Sequence, residues 1–241
     1  MFNKDKRSMA LMLILGDGNL HRRPDGYSLL SIDHGIAQAD YQAWKAQLLS
    51  DIFNREVKVR TGHKGKSVQV QIMNNVFRAW HKFTYPSNKK DIARILPFIR
   101  QPEMALAIWL MDDGYVEPSK NKKAPNSLSA RFRIFTCDQN EATQQKIIEW
   151  FKTNFNVVLK IKQAWNKKQQ RHYPYLKMNQ EDSLKLWGQI REFILQFKSM
   201  QYKFRYIEQV YQLRVVQRIP DRRFKSTFDD MIRPPSNSEK T

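Results

Sequence analysis

The chain has 241 residues, and its 42 lysines and arginines outnumber 23 aspartates and glutamates, for a formal net charge of +19. A hydrophobic fraction of 41% excludes a wholly disordered chain, and no apolar stretch approaches the ~20 residues of a membrane span. A balance this basic indicates a polyanionic partner, most often nucleic acid.

The first half of the chain has a clear order of predicted elements. Apolar residues at helical spacing predict a helix over about 8–16, and a strand-like segment follows over 27–33. A second helix is predicted over 40–53. Two alternating segments, 55–60 and 66–72, then predict a hairpin, and 74–85 predicts a third helix.

The second half repeats this order. It has a helix over 102–112, a strand over 129–136, a helix over 141–155, alternating segments over 157–163 and 173–179, and a helix over 182–195. Phe53 and Asn54 recur as Phe155 and Asn156. An internal repeat predicts a pseudo-two-fold α+β protein. We expect halves over 1–100 and 101–217, and a basic C-terminal tail over 218–241 whose order is left open.

Each half ends its first apolar helix with Asp-Gly, at Asp17 and at Asp113. A carboxylate is unfavourable at a helix C-terminus, and two close carboxylates repel each other. If these helices pack together on the pseudo-axis, a divalent cation such as Mg²⁺ would relieve both problems. With a net charge of +19, the pattern predicts metal-assisted hydrolysis of a nucleic-acid phosphodiester.

The alternating segments predict sheets with one apolar face and one basic or amide-bearing face. Such a face suits major-groove base edges and phosphates, although a solvated sheet face is the alternative. The side chains predicted to bind DNA are Arg22, Lys58, Arg60, Gln69, Gln71, Arg131, Arg133, Lys160, Lys162, Tyr173, Tyr175 and Lys177.

The segments ALMLILGDG (10–18) and LAIWLMDDG (106–114) resemble the two signature helices of the single-chain LAGLIDADG homing endonucleases of the mitochondrial-intron type. The resemblance covers roughly residues 8–215. It implies two αββαββα units whose antiparallel sheets form a saddle on DNA. It also implies that Asp17 and Asp113 bind catalytic metal, and that the backbone carbonyls of Gly16 and Asp112 complete the metal shell.

The resemblance also implies roles for two lysines. Lys90 matches the lysine that precedes the second motif in this family, and Lys203 is its symmetric partner. An ammonium near each cleavage centre could hold the attacking water or neutralise charge that develops on the phosphate. The expected set of catalytic residues is therefore Asp17, Asp113, Lys90 and Lys203.

By this resemblance the protein is a monomeric endonuclease that makes a staggered double-strand break with 3′ overhangs in a long asymmetric site and so promotes intron mobility. Two or three Mg²⁺ ions would be shared between two active sites, with Mn²⁺ able to substitute. The short leader favours a free-standing or intron-encoded protein over an intein. An RNA-splicing maturase that binds intron RNA, and a DNA-binding regulator, remain alternatives. We expect an intracellular protein, in an organelle or in bacterial cytoplasm.

Overall fold

The structure is a computed structural model that describes residues 3–23, 26–121, 124–136, 139–166 and 170–217. The tail predicted over 218–241 lies outside these residues. In chain order the first half contains α1 (Lys4–Leu15), β1 (Asn19–Arg22), β2 (Ser28–Gly35), α2 (Ala39–Phe53), β3 (Val59–Gly62), β4 (Ser67–Met73) and α3 (Val76–Thr84).

A short helix, α4 (Ile92–Ile95), connects the first half to the second. The second half repeats the order of the first and adds one helix at its end. Its elements are α5 (Pro102–Asp113), β5 (Gly114–Asn121), β6 (Ala124–Phe135), α6 (Glu141–Phe155), β7 (Lys160–Asn166), β8 (Arg171–Lys177), α7 (Gln180–Leu195) and α8 (Gln201–Gln217). The αββαββα order expected for each half is confirmed.

Each half forms a four-stranded antiparallel sheet. The strand orders are β1-β2-β4-β3 and β5-β6-β8-β7, so the two sheets have the same topology. Leu30 pairs with Ile72 in the first sheet, and Ile134 pairs with Leu176 in the second; all four side chains are buried. One face of each sheet therefore covers the core and the other carries the polar residues.

The helices α1 and α5 pack against each other at the centre of the molecule. Residues 10–15 of α1 and 105–111 of α5 are 1% exposed or less. A helix that is apolar on every side is buried on every side, which explains why these two segments show no amphipathic stripe. In the described part of the chain no helix is long and apolar enough to cross a membrane.

One predicted strand of the first half begins later in the structure than expected, and two strands were not predicted. The strand predicted from residue 55 begins only at Val59, because Asn54 ends α2 in a left-handed conformation (φ 49°) and the Val57 amide donates to Ser50 Oγ at 3.0 Å. β1 and β5 were not predicted. In β1 the alternating pattern is too short to recognise, because the strand has four residues and only one of them, Leu20, is buried.

The helix α8 was also missed. Its buried residues Phe204, Ile207 and Val210 recur every three positions among charged and amide side chains. Ile207, Val210 and Tyr211 have the i, i+3, i+4 spacing of an amphipathic helix, so the helical signal was present in the sequence.

Candidate active site

The two predicted metal ligands occupy equivalent positions at the ends of the central helices. The Gly18 amide donates to the Leu13 carbonyl at 2.9 Å, and the Gly114 amide donates to the Leu110 carbonyl. A Cβ at either glycine would lie well inside 3.0 Å of that carbonyl oxygen. Both turns therefore need glycine, although Asp17 lies two residues beyond the end of α1 whereas Asp113 is the last residue of α5.

Both carboxylates are partly buried, and 34% of the Asp17 side chain remains exposed. Burial and then the neighbouring Asp112 carboxylate raise the pKa of Asp17 to about 6. Burial and then the charge of Asp17 raise the pKa of Asp113 to about 7. Among the residues that the structure describes, no donor is hydrogen-bonded to either carboxylate. Two desolvated carboxylates that lack protein donors fit a divalent cation, which prefers oxygen ligands.

The two predicted lysines lie beside these acids. Lys90 Nζ donates to the Gly16 carbonyl at 2.6 Å, and Lys203 Nζ donates to the carbonyls of Met111 and Asp112, the latter at 3.2 Å. Burial lowers the pKa of both ammonium groups. The carbonyls expected to complete the metal shell therefore accept from the lysines, and each keeps a second lone pair.

A cavity of about 520 Å³ opens on the side of Lys90, and we call this the Lys90 side. Asp17, Asp113 and Lys90 line it, together with Thr136 and Gln139 from the end of the second sheet. Gln139 Nε2 donates to the Lys90 carbonyl at 2.8 Å, so the second half supports the lysine of the first.

The opposite side, which we call the Lys203 side, contains a buried polar network that the sequence analysis did not predict. Asp112 and Lys45 are fully buried and form an ion pair at 2.8 Å. Tyr41 Oη donates to Asp112 Oδ1 at 3.0 Å, and Lys45 Nζ lies 2.9 Å from His34 Nε2. One signal was present in the sequence, because Lys45 falls on the apolar stripe of α2, where a lysine needs an acidic partner.

His34 completes this network as a neutral imidazole. Burial and then the Lys45 ammonium lower the pKa of His34 to about 4. Because Nε2 accepts from Lys45, the hydrogen lies on Nδ1, which is 3.6 Å from Asp17 Oδ2. Ligand atoms of Asp17, His34 and Asp112 lie within 4.8 Å of one another. Lys45 binds both oxygens of Asp112, so an internal ammonium already occupies this cluster.

The first sheet places most of its predicted DNA-binding residues on the polar face. Arg60 pairs with Gln69 across β3 and β4, and Gln71 lies on the same face. Lys58 precedes β3 and forms an exposed ion pair with Glu56 at 3.3 Å. The structure does not place Arg22 with this group, because it shares the face of the buried Leu20.

The second sheet gathers all its predicted DNA-binding residues on one face. Glu117, which the sequence analysis did not single out, forms ion pairs on this face with Arg133 and with Lys177, the latter at 2.6 Å. Tyr175 is buried, and the Arg133 guanidinium lies 4.8 Å from the centre of its ring. The residues on this face are Arg131, Arg133, Lys160, Lys162, Tyr173, Tyr175 and Lys177.

Comparison with known proteins identifies one family. A model described as the LAGLIDADG DNA endonuclease family matches residues 7–186. A curated relative, Protein RecA of Mycolicibacterium flavescens, is 25% identical over 161 residues, which span 65% of this chain and 37% of that protein.

Two solved structures share the fold. The homing endonuclease I-WcaI bound to its DNA recognition sequence is 21% identical, with a TM-score of 0.58 over 84% of this chain and 87% of that one. A variant of I-DmoI with its nicked target DNA in the presence of Mn is 15% identical, with a TM-score of 0.51 over 78% of this chain and 96% of that one. The arrangement of two antiparallel sheets around a central helix pair is therefore that of these proteins.

Proposed function

Since the chain belongs to the LAGLIDADG DNA endonuclease family, we propose that it is a site-specific, divalent-metal-dependent endonuclease that hydrolyses phosphodiester bonds in double-stranded DNA. The observation that carries this proposal is the pair of partly buried carboxylates, Asp17 and Asp113, which line one cavity with Lys90 where the two halves meet. A lysine lies beside each helix end, and a basic sheet face extends to either side.

We assign metal binding to Asp17 and Asp113, with the backbone carbonyls of Gly16 and Asp112 as further oxygen ligands. A divalent cation bound there would polarise the scissile phosphate and favour attack by water. Two or three ions shared between the two centres are consistent with two acids, and Mn²⁺ could replace Mg²⁺ because it accepts the same oxygen donors.

The lysines act at fixed positions. Lys90 and Lys203 are held by backbone carbonyls at the helix ends, so neither ammonium needs to reorganise when charge develops on the phosphate. A positive charge preorganised beside the reacting group stabilises the transition state more than the ground state. With one lysine on each side, each centre serves one strand, and the product is a double-strand break.

The two sheet faces differ in their side chains, which predicts an asymmetric target. Amides and Arg60 line the first, whereas aromatic and basic side chains line the second. Because the target is read by two unlike halves, 1–100 and 101–217, one copy of the chain suffices. We accordingly propose a monomer that cuts a long asymmetric site with staggered 3′ ends and promotes intron mobility.

The maturase and regulator alternatives account for no feature of this site that the endonuclease leaves unexplained. A protein that only binds nucleic acid has no need of two desolvated acids with a lysine beside each. We therefore retain neither as a second candidate function.

The test is to incubate the purified protein and Mg²⁺ with a randomised duplex library and to sequence the ends that form. Asp17→Asn, which keeps the side-chain shape and removes the charge, is the matched control. We expect recurrent staggered ends within one long motif, absent with the control. Ends that recur equally with Asp17→Asn would contradict the metal assignment, and tight binding of structured intron RNA without any DNA cutting would favour the maturase.

A further inference from the structure

The two sides of the central helix pair differ chemically beneath the paired acids. On the Lys203 side Asp112 and Lys45 form an ion pair in which both side chains have no solvent exposure. Asp112 precedes Asp113 in its motif just as Gly16 precedes Asp17 in the other. The equivalent position therefore carries a carboxylate in one half and no side chain in the other.

Lys45, the ion-pair partner of Asp112, also occurs in only one of the two halves. Asn54 and Asn156 end α2 and α6 in the same left-handed conformation, with φ of 49° and 52°, and so define the register between these helices. In that register Lys45 corresponds to Ile147, a buried apolar residue. Packing in this fold therefore does not require a charge pair at this position, and a buried ion pair is in general a weak source of stability.

The carboxylate of Asp112 acts on the backbone of Asp17. Its Oδ2 accepts from the Asp17 amide at 2.9 Å, across the interface between α5 and the turn that follows α1. A Cβ at Gly16 would overlap the same oxygen, so the two motif positions are sterically complementary. Lys45 and Tyr41 hold the carboxylate from the other side, at 2.8 and 3.0 Å.

We propose that the side chain of Asp112, held in place by Lys45 and Tyr41, is a positioning group that orients Asp17 through its backbone amide, and that it makes the two cleavage centres inequivalent, so that the two DNA strands are cut at different rates. This inference rests on the proposed function. The network lies on the Lys203 side, where Lys45 and His34 stand in place of the open, Thr136-lined cavity of the Lys90 side. Loss of the oxygen acceptor at residue 112 should therefore affect the strand that depends on Lys203 more than the other.

The test measures cutting of each strand separately, on a duplex recovered from the library and labelled differently on its two strands. Lys90→Met and Lys203→Met first assign each strand to a centre. We expect Asp112→Ala, which removes the acceptor of the Asp17 amide, to slow the Lys203-dependent strand by about tenfold more than the other strand.

The conservative double variant Lys45→Met/Asp112→Asn is the matched control. It keeps an oxygen acceptor for the Asp17 amide and leaves no unpaired buried charge. We expect its ratio of strand rates to stay within about threefold of that of the unchanged protein. A general folding defect would slow both strands equally, and so would leave the ratio unaltered.

A second readout does not depend on cutting. Calcium titration of the protein by calorimetry should show weaker binding for Asp112→Ala than for the double variant, with thermal unfolding to verify that both are folded. Equal slowing of both strands together with unchanged calcium binding would overturn the positioning role. If the unchanged protein cut no DNA, the proposed function would fail, and the calcium titration would still decide the role of Asp112.

Discussion

Removal of a predicted metal ligand should stabilise the metal-free protein. The pKa of Asp113 is raised from 3.8 to about 7, mainly by burial and by the charge of Asp17. At about 1.36 kcal/mol per pKa unit, ionised Asp113 destabilises the folded state by at most about 4 kcal/mol. Part of the side chain reaches solvent, so we expect about half of this, ~2 kcal/mol, for Asp113→Asn at pH 8.

The sign of the pH dependence follows from linkage. Between pH 4 and pH 7 the folded protein binds more protons at this site than the unfolded chain does, so its stability falls as the pH rises through this window. Asp113→Asn removes that loss. The advantage of the variant should therefore be small near pH 4, grow up to about pH 7 and remain constant above it.

Thermal unfolding in the presence of a chelator measures this effect. An advantage of ~2 kcal/mol corresponds to a rise in Tm of about 4–8 °C for a chain of this size. Glu103→Gln removes one charge from the exposed start of the same helix and should change Tm by no more than about 2 °C at any of these pH values. If Asp113→Asn unfolds at a lower temperature than the unchanged protein at pH 8, the reasoning about a desolvated carboxylate is wrong.

Three further predictions concern the buried pair, the helix ends and the DNA interface. Lys45→Met leaves the Asp112 carboxylate buried without its ion-pair partner and should cost about 3–5 kcal/mol in urea unfolding, much of it recovered by adding Asp112→Asn; equal stability of the single and double variants would contradict this. Gly114→Ala forces a Cβ against the Leu110 carbonyl and should cost about 1–3 kcal/mol, whereas Gly35→Ala, where a Cβ meets nothing within 4 Å, should not. DNA affinity should fall by about 10³-fold or more between roughly 50 and 200 mM salt if six or more phosphates are contacted, and a flat titration would argue against a phosphate-dominated interface.

The sequence predicts the repeated parts of this fold well, for a physical reason. α6 has the predicted bounds because its N-cap Asn140 and its C-cap Asn156 are local signals that the chain carries itself. The candidate acids and lysines can also be identified from the sequence, because each lies at a defined distance along the chain from one of the two helix motifs. In the structure Lys90 and Lys203 donate hydrogen bonds to carbonyls at the ends of the central helices, and their catalytic role stays a prediction.

The buried network could not be predicted with the same certainty. Lys45 and Asp112 lie 67 positions apart and meet only because α2 packs on the central helices. A lysine on the apolar face of a helix indicates that a buried acidic partner is required, but the sequence does not identify which acidic residue this is. Glu117 was overlooked for a similar reason, because its pairing with Arg133 and Lys177 depends on strand register.

The most direct test of the central claim compares binding and cutting by the same protein on the same DNA. Asp17→Asn and Asp113→Asn should bind the recovered target with nearly the affinity of the unchanged protein and should cut neither strand in Mg²⁺. Cutting of either strand at the rate of the unchanged protein would contradict the assignment of these two carboxylates as the metal ligands of a DNA endonuclease.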